Sequence, residues 1–269
     1  MTEEEFRKSI CEKYADHFKH FYTLFKFAEE AAVNYRNFTT TSQEASVTLI
    51  FGRALKSFDS IRRLCEVALC EDAAVVLRSL LNLLAVTRWI SLDPELRSDK
   101  YLWWYWVQMH LDAEQWGASL PPSWVQSIER HYETVRQRFE YKDSKGRIRM
   151  PDCWYQPEAN TIRDIFVQTD LEKQYEESYR PLSGIEHSDS SAFFAMVALM
   201  ERAGDEKRIE IHSDLFVPHY LRNAFQYFAD IFRICNQAIP LAPADKLEAI
   251  ASEALAFYKA DMVARGIAP

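Results

Sequence analysis

Arg180 and His187, a permanent cation and a side chain that titrates near neutrality, are separated by six intervening residues. Pro181 and Gly184 lie between them, which predicts a break in the helical pattern and places the pair at a helix entrance. Free backbone N–H groups at such an entrance favour a bound anion. An imidazole can take a proton from a ribose 2′-OH, and a guanidinium can bind two phosphate oxygens. The pair therefore has the groups needed for metal-independent RNA cleavage through a cyclic phosphate.

Two side chains between the arginine and the histidine, Ser183 and Glu186, can orient the imidazole. The spacing alone leaves a structural alternative open. In that alternative the arginine pairs with Glu176 or Glu177 on the surface, and the histidine only caps a helix. The two interpretations differ in whether the guanidinium is available to a phosphate.

A second pair of polar residues, Arg78 and Asn82, lies in the most apolar stretch of the chain, residues 73–90. Because they are four residues apart, they share one face of the predicted helix. A buried charge is costly unless it is paired. Arg78 therefore either meets an acidic partner or, together with Asn82, borders a cavity that binds an anion.

A basic stretch stands out in an otherwise acidic protein. Residues 136–149 hold six basic and two acidic side chains, a local charge of +4, and Tyr141, Trp154 and Tyr155 are nearby in sequence. Basic and aromatic groups on a loop can hold single-stranded RNA by charge and stacking. A solvated loop without a ligand is the alternative. The basic residues are Arg136, Arg138, Lys142, Lys145, Arg147 and Arg149.

Metal and cofactor motifs are weak or missing in the sequence. His17 with His20, and His110 with Glu114, have helical spacing but lack the second pair that a structural zinc or di-iron site needs. There is no H-E-x-x-H, no glycine-rich phosphate loop and no G-x-S-x-G. We therefore predict no metal and no cofactor. Five tryptophans are most simply explained by packing between helices, or else by a dimer surface: Trp103, Trp104, Trp106, Trp116 and Trp124.

The composition indicates a helical cytoplasmic protein. Only 6 of 269 residues are glycine and 48% are apolar, which favours helices with an ample core. The formal charge of −8 disfavours a protein that coats duplex DNA. Five cysteines without a C-x-x-C pair indicate reduced thiols, and the acidic N-terminus does not resemble a signal peptide. The apolar stretch 73–90 carries two arginines and an asparagine, which predicts a buried helix and no membrane span.

The apolar periodicity predicts an all-α, multi-helix bundle of roughly nine or ten helices in one domain, residues 1–269. The helix over 73–90 is apolar almost all round and should be central. Residues 141–157 are predicted as a loop or insertion, and 207–212 as a short extended segment. The other helices are predicted over 6–38, 43–69, 94 or 98–116, 122–140, 161–179 with a split at 169–170, 191–203, 214–237 and 244–264.

Two segments, 70–82 and 179–188, resemble the HEPN superfamily and, more narrowly, an uncharacterised bacterial helical family close to it. The resemblance covers about residues 43–203. Its signature is an arginine, four to six residues and a histidine, which Arg180 and His187 match with six. The resemblance implies a helical bundle, usually dimeric, in which His187 is catalytic and Arg180 holds the phosphate. The related family tends to have glutamate where this chain has Asn82, so hydrogen bonding is the role implied there.

Many HEPN proteins are RNases of toxin–antitoxin or anti-phage systems. We therefore expect a cytoplasmic, metal-independent endoribonuclease of such a system. It should act on RNA as a homodimer, with an antitoxin or another defence-system protein as a further partner and no membrane. The alternative is a non-catalytic helical module that binds a protein or a small ligand, in which Arg180 and His187 are structural.

Overall fold

The computed structural model describes residues 2–35, 41–116, 119–186 and 214–266. These residues form an all-α bundle, as predicted, with a single two-stranded sheet among them. In chain order the elements are α1 (Glu3–Lys13), α2 (Ala15–Asn34), α3 (Ser42–Glu66), α4 (Cys70–Leu92), α5 (Pro94–Trp116), α6 (Pro122–Val135), a 3-10 turn (Arg136–Arg138), β1 (Tyr141–Lys142), β2 (Ile148–Arg149), α7 (Ile162–Gln168), α8 (Glu172–Gln174), a π-helical turn (Tyr175–Tyr179), α9 (Arg180–Glu186), α10 (Val217–Ala238) and α11 (Ala244–Ala264).

The bundle centres on α3, α4 and α10, which pack against one another. Leu77 and Trp89 of α4 are fully buried because neighbouring helices cover most of its surface. The ring of Phe58 on α3 lies between the rings of Phe21 and Phe228, with centroid distances of 3.7 and 4.4 Å. The central helix predicted over 73–90 is therefore confirmed.

Within the described residues, α4 is the one helix whose length and composition would allow it to cross a membrane. Of its apolar window, 67% is buried inside the bundle. Its apolar side chains are thus used in packing against the other helices, as expected for a core helix.

Side-chain caps set the start of some of the helices. The Thr41 hydroxyl accepts from the Glu44 N–H at 3.1 Å, and the Glu44 carboxylate accepts from the Thr41 N–H at 3.2 Å, which fixes the start of α3. Thr161 and Asp164 form the same reciprocal pair of hydrogen bonds, a capping box, at the start of α7. After α7, Asp170 adopts a left-handed backbone with φ 56° and turns the chain into α8. The split predicted at 169–170 is confirmed.

The single helix predicted over 6–38 is wrong, because the chain forms two helices there. α1 and α2 meet at Tyr14, whose backbone has φ −116° and ψ 30°. The buried Tyr14 side chain donates its hydroxyl hydrogen to the backbone oxygen of Asp214 at 3.2 Å. This contact with the segment before α10 anchors the bend, and no local pattern could reveal it.

The irregular stretch after α6 contains a small hairpin. α6 ends at Val135, earlier than the predicted end at residue 140, and the chain continues as a 3-10 turn over Arg136–Arg138. Within the predicted loop 141–157, Tyr141 pairs with Arg149 and Lys142 with Ile148. The helix predicted over 191–203 and the extended segment predicted over 207–212 lie outside the described residues.

α5 and α6 form a helical hairpin with a small core of its own, separate from the main core. Three of the five tryptophans pack between helices there, as predicted, whereas Trp116 and Trp124 are exposed. The buried centre of this small core is Val107, Val135 and Phe139, against which pack Trp103, Trp104, Trp106, Tyr132 and Met150.

Candidate functional site

Arg180 lies inside a continuous helical stretch formed by α8, the π-helical turn and α9. The break predicted at Pro181 and Gly184 is therefore wrong, whereas the start of the helix predicted after His187 lies outside the described residues. The Arg180 N–H donates to the carbonyl of Tyr175, which is the hydrogen-bond spacing of a π-helix and is wider than that of an α-helix. Pro181 is the next residue in the chain. Because the backbone register already changes here, the missing N–H of proline does not end the helix.

His187, the predicted catalytic residue, lies outside the described residues. Its neighbour in the chain, Glu186, is the last residue of α9. Ser183 is half-buried within α9, one turn before Glu186. The described part of the site therefore consists of α9, the π-helical turn and the part of α4 that packs against them.

Arg180 points towards solvent, with 75% of its side chain exposed. Its Nη1 lies 3.2 Å from a carboxylate oxygen of Glu176, one helical turn earlier. Glu176 also pairs with Arg163 of α7 at 3.3 Å. The surface pairing that the sequence left open as an alternative is thus present, in an exposed setting where such pairs are weak.

Arg78 reaches the same helical stretch from α4. Its Nη2 donates to the Tyr179 hydroxyl at 2.9 Å, and its guanidinium carbon lies 4.6 Å from the Tyr179 ring centroid. Its Nη1 forms an ion pair with the Glu186 carboxylate. The Arg78 side chain is only 18% exposed, and a buried arginine is costly without an acidic partner. Glu186 is that partner.

Tyr179 is a site residue that sequence reasoning missed. Tyr179 and Glu186 are seven residues apart, about two helical turns, so both face α4 while Arg180 faces solvent. Burial raises the pKa of Tyr179 above its ordinary value, and the charge of Arg78 opposes that rise. The phenol therefore stays protonated at neutral pH, and its oxygen accepts the hydrogen bond. The seven-residue spacing was the signal that could have identified it.

Two buried polar atoms of α4, Arg78 Nε and Asn82 Oδ1, have no hydrogen-bond partner among the residues that the structure describes. Arg78 Nε is a donor and Asn82 Oδ1 is an acceptor, and the two residues are one helical turn apart. Leaving buried polar atoms unpaired costs free energy of folding. The Trp89 indole N–H bonds to Gln168 at 2.8 Å, so α4 runs antiparallel to the stretch that leads to Tyr179. Asn82 therefore lies opposite the part of that stretch just before Tyr179.

The first two arginines of the basic stretch are held by carboxylates. Arg136 pairs with Glu133 at 3.2 Å and with Glu140 at 2.9 Å. Arg138 forms an ion pair with Asp99 of α5. Both arginines are partly exposed, but their charges are largely offset locally.

The tip of the basic stretch is organised around one carboxylate, Asp143. It accepts the backbone N–H groups of Lys145 and Arg147 at 2.9 and 3.0 Å, and it pairs with Arg147 and Arg149 at 2.8 and 3.3 Å. The backbone hydrogen bond from Arg147 is the largest cause that lowers the pKa of Asp143 to about 2. Lys142 and Lys145 are exposed, and neither forms an ion pair with a described residue. These two lysines are therefore the cations of the stretch most open to a phosphate.

A family model matches residues 44–206, more than half of the chain. The chain belongs to this family, described as a family of unknown function (DUF5677). The DUF5677 region contains Arg78, Asn82, Arg180 and His187 as well as the basic stretch. α10 lies outside that region, although it packs against α3 and α4. No curated protein and no solved structure matches the chain.

In the described part of this DUF5677 protein, no three His, Cys, Asp or Glu side chains come together as metal ligands could. His17 bonds to Asp261 at 3.2 Å in a packed setting between helices. His110 lies 3.7 Å from Glu114 and 3.1 Å from Glu129. Each of these histidines is thus paired with carboxylates of its own helix or of one packed against it.

Proposed function

We propose that this protein is a HEPN-like, metal-independent endoribonuclease of a bacterial toxin or anti-phage defence system. One observation carries the proposal. Arg78 contacts Tyr179 and Glu186, the residues that immediately precede Arg180 and His187 in the chain. Arg78, from one of the two polar pairs recognised in the sequence, therefore contacts the helical stretch that contains Arg180 from the other pair.

In the proposed reaction His187 takes the proton of a ribose 2′-OH, and the 2′-oxygen attacks the adjacent phosphorus. The bond from phosphorus to the 5′-oxygen breaks, and the protonated His187 gives its proton to that leaving oxygen. The products are a 2′,3′-cyclic phosphate and a 5′-hydroxyl. Arg180 binds the phosphate oxygens and offsets the charge that develops on them.

The surroundings of Arg180 suit an incoming phosphate. Its pairing with Glu176 is exposed and weak, so a phosphate can compete for the guanidinium. Arg78 is already bonded on two sides, and with Asn82 it would border the site rather than hold the scissile phosphate. Ser183 and Glu186 remain the proposed supporting residues on α9.

The proposal extends to partners. RNA would follow the basic stretch, with Lys142 and Lys145 as its open cations and the four arginines around them as weaker contacts. The protein would act in the cytoplasm as a homodimer. An antitoxin or another protein of the defence system would control its activity.

The test is cleavage of a panel of single-stranded RNAs by purified protein in the presence of EDTA, with analysis of the product ends. Wild type should give 2′,3′-cyclic phosphates, while His187→Ala and Arg180→Ala should lose about 100-fold or more in rate and keep their circular dichroism spectra. His131→Ala is the control, because His131 stacks on Trp106 at 4.0 Å in the α5–α6 hairpin. If wild type and His187→Ala cut equally, or neither cuts, the proposal fails.

The alternative function, a non-catalytic binding module, is favoured by one observation: Arg180 already has a surface partner in Glu176. Expression in a bacterial host distinguishes the two functions. Growth arrest that Arg180→Ala or His187→Ala relieves supports the nuclease. A harmless protein that binds the product of a neighbouring gene tightly supports the module.

A further inference from the structure

Two arginines of α10, Arg222 and Arg233, lie on the same face of the helix, because their separation along the chain is about three helical turns. Both guanidinium groups reach α11. Arg233 pairs there with Glu248 at 2.7 Å, and it also pairs with Asp230 of its own helix at 2.7 Å. Arg222 instead meets the thioether sulfur of Met262. α11 therefore presents a carboxylate to one arginine and an uncharged sulfur to the other.

Arg222 is half-buried, yet it has no carboxylate partner among the residues that the structure describes. The carboxylate of Asp261, next to Met262 in the chain, is held by His17 at 3.2 Å and by Arg265 at 2.8 Å. Burial lowers the pKa of Arg222 below its ordinary value, and neighbouring groups, Asp261 among them, oppose this only in part. A partly buried cation without a counter-ion is costly.

The side chains around Arg222 hold more hydrogen-bond donors than acceptors. Arg222 Nη2 lies 3.2 Å from His219 Nδ1 and 3.1 Å from Asn223 Oδ1, and Asn223 Nδ2 lies 3.0 Å from His219 Nε2. A neutral imidazole has one N–H and only one acceptor nitrogen, so one N–H group of these three side chains faces another. Reversing the Asn223 amide only moves that contact to Arg222. An oxyanion would supply the missing acceptors.

A further unsatisfied group lies close to these side chains. Tyr258, one turn before Met262 on α11, is 2% exposed, and its hydroxyl has no hydrogen-bond partner within the described ranges. The charge of Arg222 opposes the rise that burial causes in the pKa of Tyr258, so the hydroxyl is within electrostatic reach of the guanidinium. His219 is exposed and Met262 is half-buried, so solvent reaches the cluster, and the flexible thioether can move aside.

We propose that His219, Arg222 and Asn223 form a binding site for an oxyanion, the phosphate or carboxylate group of a small molecule. Arg222 donates to the oxyanion from the side that now meets Met262, and the N–H groups of Asn223 and His219 donate to it as well. The three binding residues lie beyond the family region, which ends at residue 206. The proposal does not depend on RNA cleavage.

Isothermal titration calorimetry in chloride buffer tests the site, with inorganic phosphate and succinate as the probes. Wild type should bind one of them with a Kd of about 1 mM or tighter. Arg222→Ala should raise that Kd about 10-fold or more, because it removes charge-assisted hydrogen bonds. Arg233→Ala is the control and should keep the wild-type Kd, since Arg233 already has carboxylate partners.

The better probe identifies the chemical class of the oxyanion. Arg180→Ala should keep the binding that depends on Arg222, which separates this site from the proposed catalytic phosphate site. If wild type binds neither probe, or if Arg222→Ala binds both as tightly as wild type, the proposal is overturned.

Asn223→Asp tests the missing counter-ion directly. Arg222 Nε and Nη2 lie 3.2 and 3.1 Å from Asn223 Oδ1, so the variant places a carboxylate oxygen where the amide oxygen now is. It should raise Tm by about 3 °C and abolish binding of the probe. Asn236→Asp adds the same charge to the same helix and should leave the Kd unchanged, because Asn236 uses its side-chain oxygen to accept two backbone N–H groups.

The opposite result is equally definite. A lower Tm in Asn223→Asp, together with wild-type binding of the probe, would show that the chain itself already supplies the counter-ion of Arg222. That outcome would overturn the proposal.

Discussion

Arg78 Nη2 and the Tyr179 hydroxyl are joined by a hydrogen bond of 2.9 Å, although 101 positions separate the two residues in the chain. The bond fixes the start of α9 against the centre of α4. Because Tyr179 directly precedes Arg180, this contact determines which face of the helix Arg180 presents. The exposed position of Arg180 is therefore a consequence of the buried position of its neighbour.

A double-mutant cycle should measure this bond. Tyr179→Phe should reduce the free energy of unfolding by about 1 kcal/mol, and Arg78→Ala by about 2 kcal/mol, because the second change also leaves Glu186 without its arginine. The coupling energy between the two changes should be about 1 kcal/mol in urea denaturation.

Arg88 provides the control for this cycle. It lies on the same helix and pairs with Asp230 at 3.2 Å, away from Tyr179. The effects of Arg88→Ala and Tyr179→Phe should therefore add. If the effects of Arg78→Ala and Tyr179→Phe on the free energy of unfolding also add, the hydrogen bond between these two residues contributes nothing to stability.

Glu176→Gln should release Arg180 for phosphate binding. The expected result is a KM for RNA that is about threefold lower, with a free energy of unfolding within about 0.5 kcal/mol of wild type because the pair is exposed. Glu172→Gln is the matched control: it removes the same charge and another partner of Arg163, at 3.2 Å, without touching Arg180. If both variants change KM equally, the effect is one of net surface charge.

The parts of the fold that the sequence predicted well depend on local information. The start of α3 follows from Thr41 and Glu44, three residues apart, and α11 follows from its apolar periodicity alone. The pairing of Arg180 with Glu176 was one of the alternatives because it is an i, i+4 contact. Local spacing is sufficient for features of this kind.

The errors occur where distant contacts decide the local structure. Tyr14 divides the first predicted helix because its hydroxyl meets Asp214, which lies 200 positions later. Pro181 remains helical because a π-helical turn precedes it, and that turn faces α4. The partner of Arg78 could not be chosen from sequence, since Glu186 is one of many carboxylates and only the folded chain brings it near.

The stacked rings at the centre of the bundle should carry much of its stability. Phe58→Ala leaves a cavity between Phe21 and Phe228 and should cost about 4 kcal/mol in chemical denaturation. Leu49→Ala, an exposed position on the same helix, should cost less than about 0.5 kcal/mol. A small loss for Phe58→Ala would mean that α3 does not pack between α2 and α10 as described.

His17 should make the stability of the protein fall in mild acid. Burial lowers the pKa of His17 below its ordinary value of 6.5, and the charge of Asp261 opposes this only in part. The folded protein then binds the proton less readily than the unfolded chain. The stabilising contribution of the neutral imidazole is therefore complete above pH 6.5 and is lost as the pH falls below it. In His17→Gln the decrease in Tm between about pH 7.5 and about pH 5.5 should be smaller than in wild type. His131→Gln, a change in the α5–α6 hairpin outside the main core, should keep the wild-type decrease. A decrease that is the same in all three proteins would assign the acid sensitivity to groups other than His17.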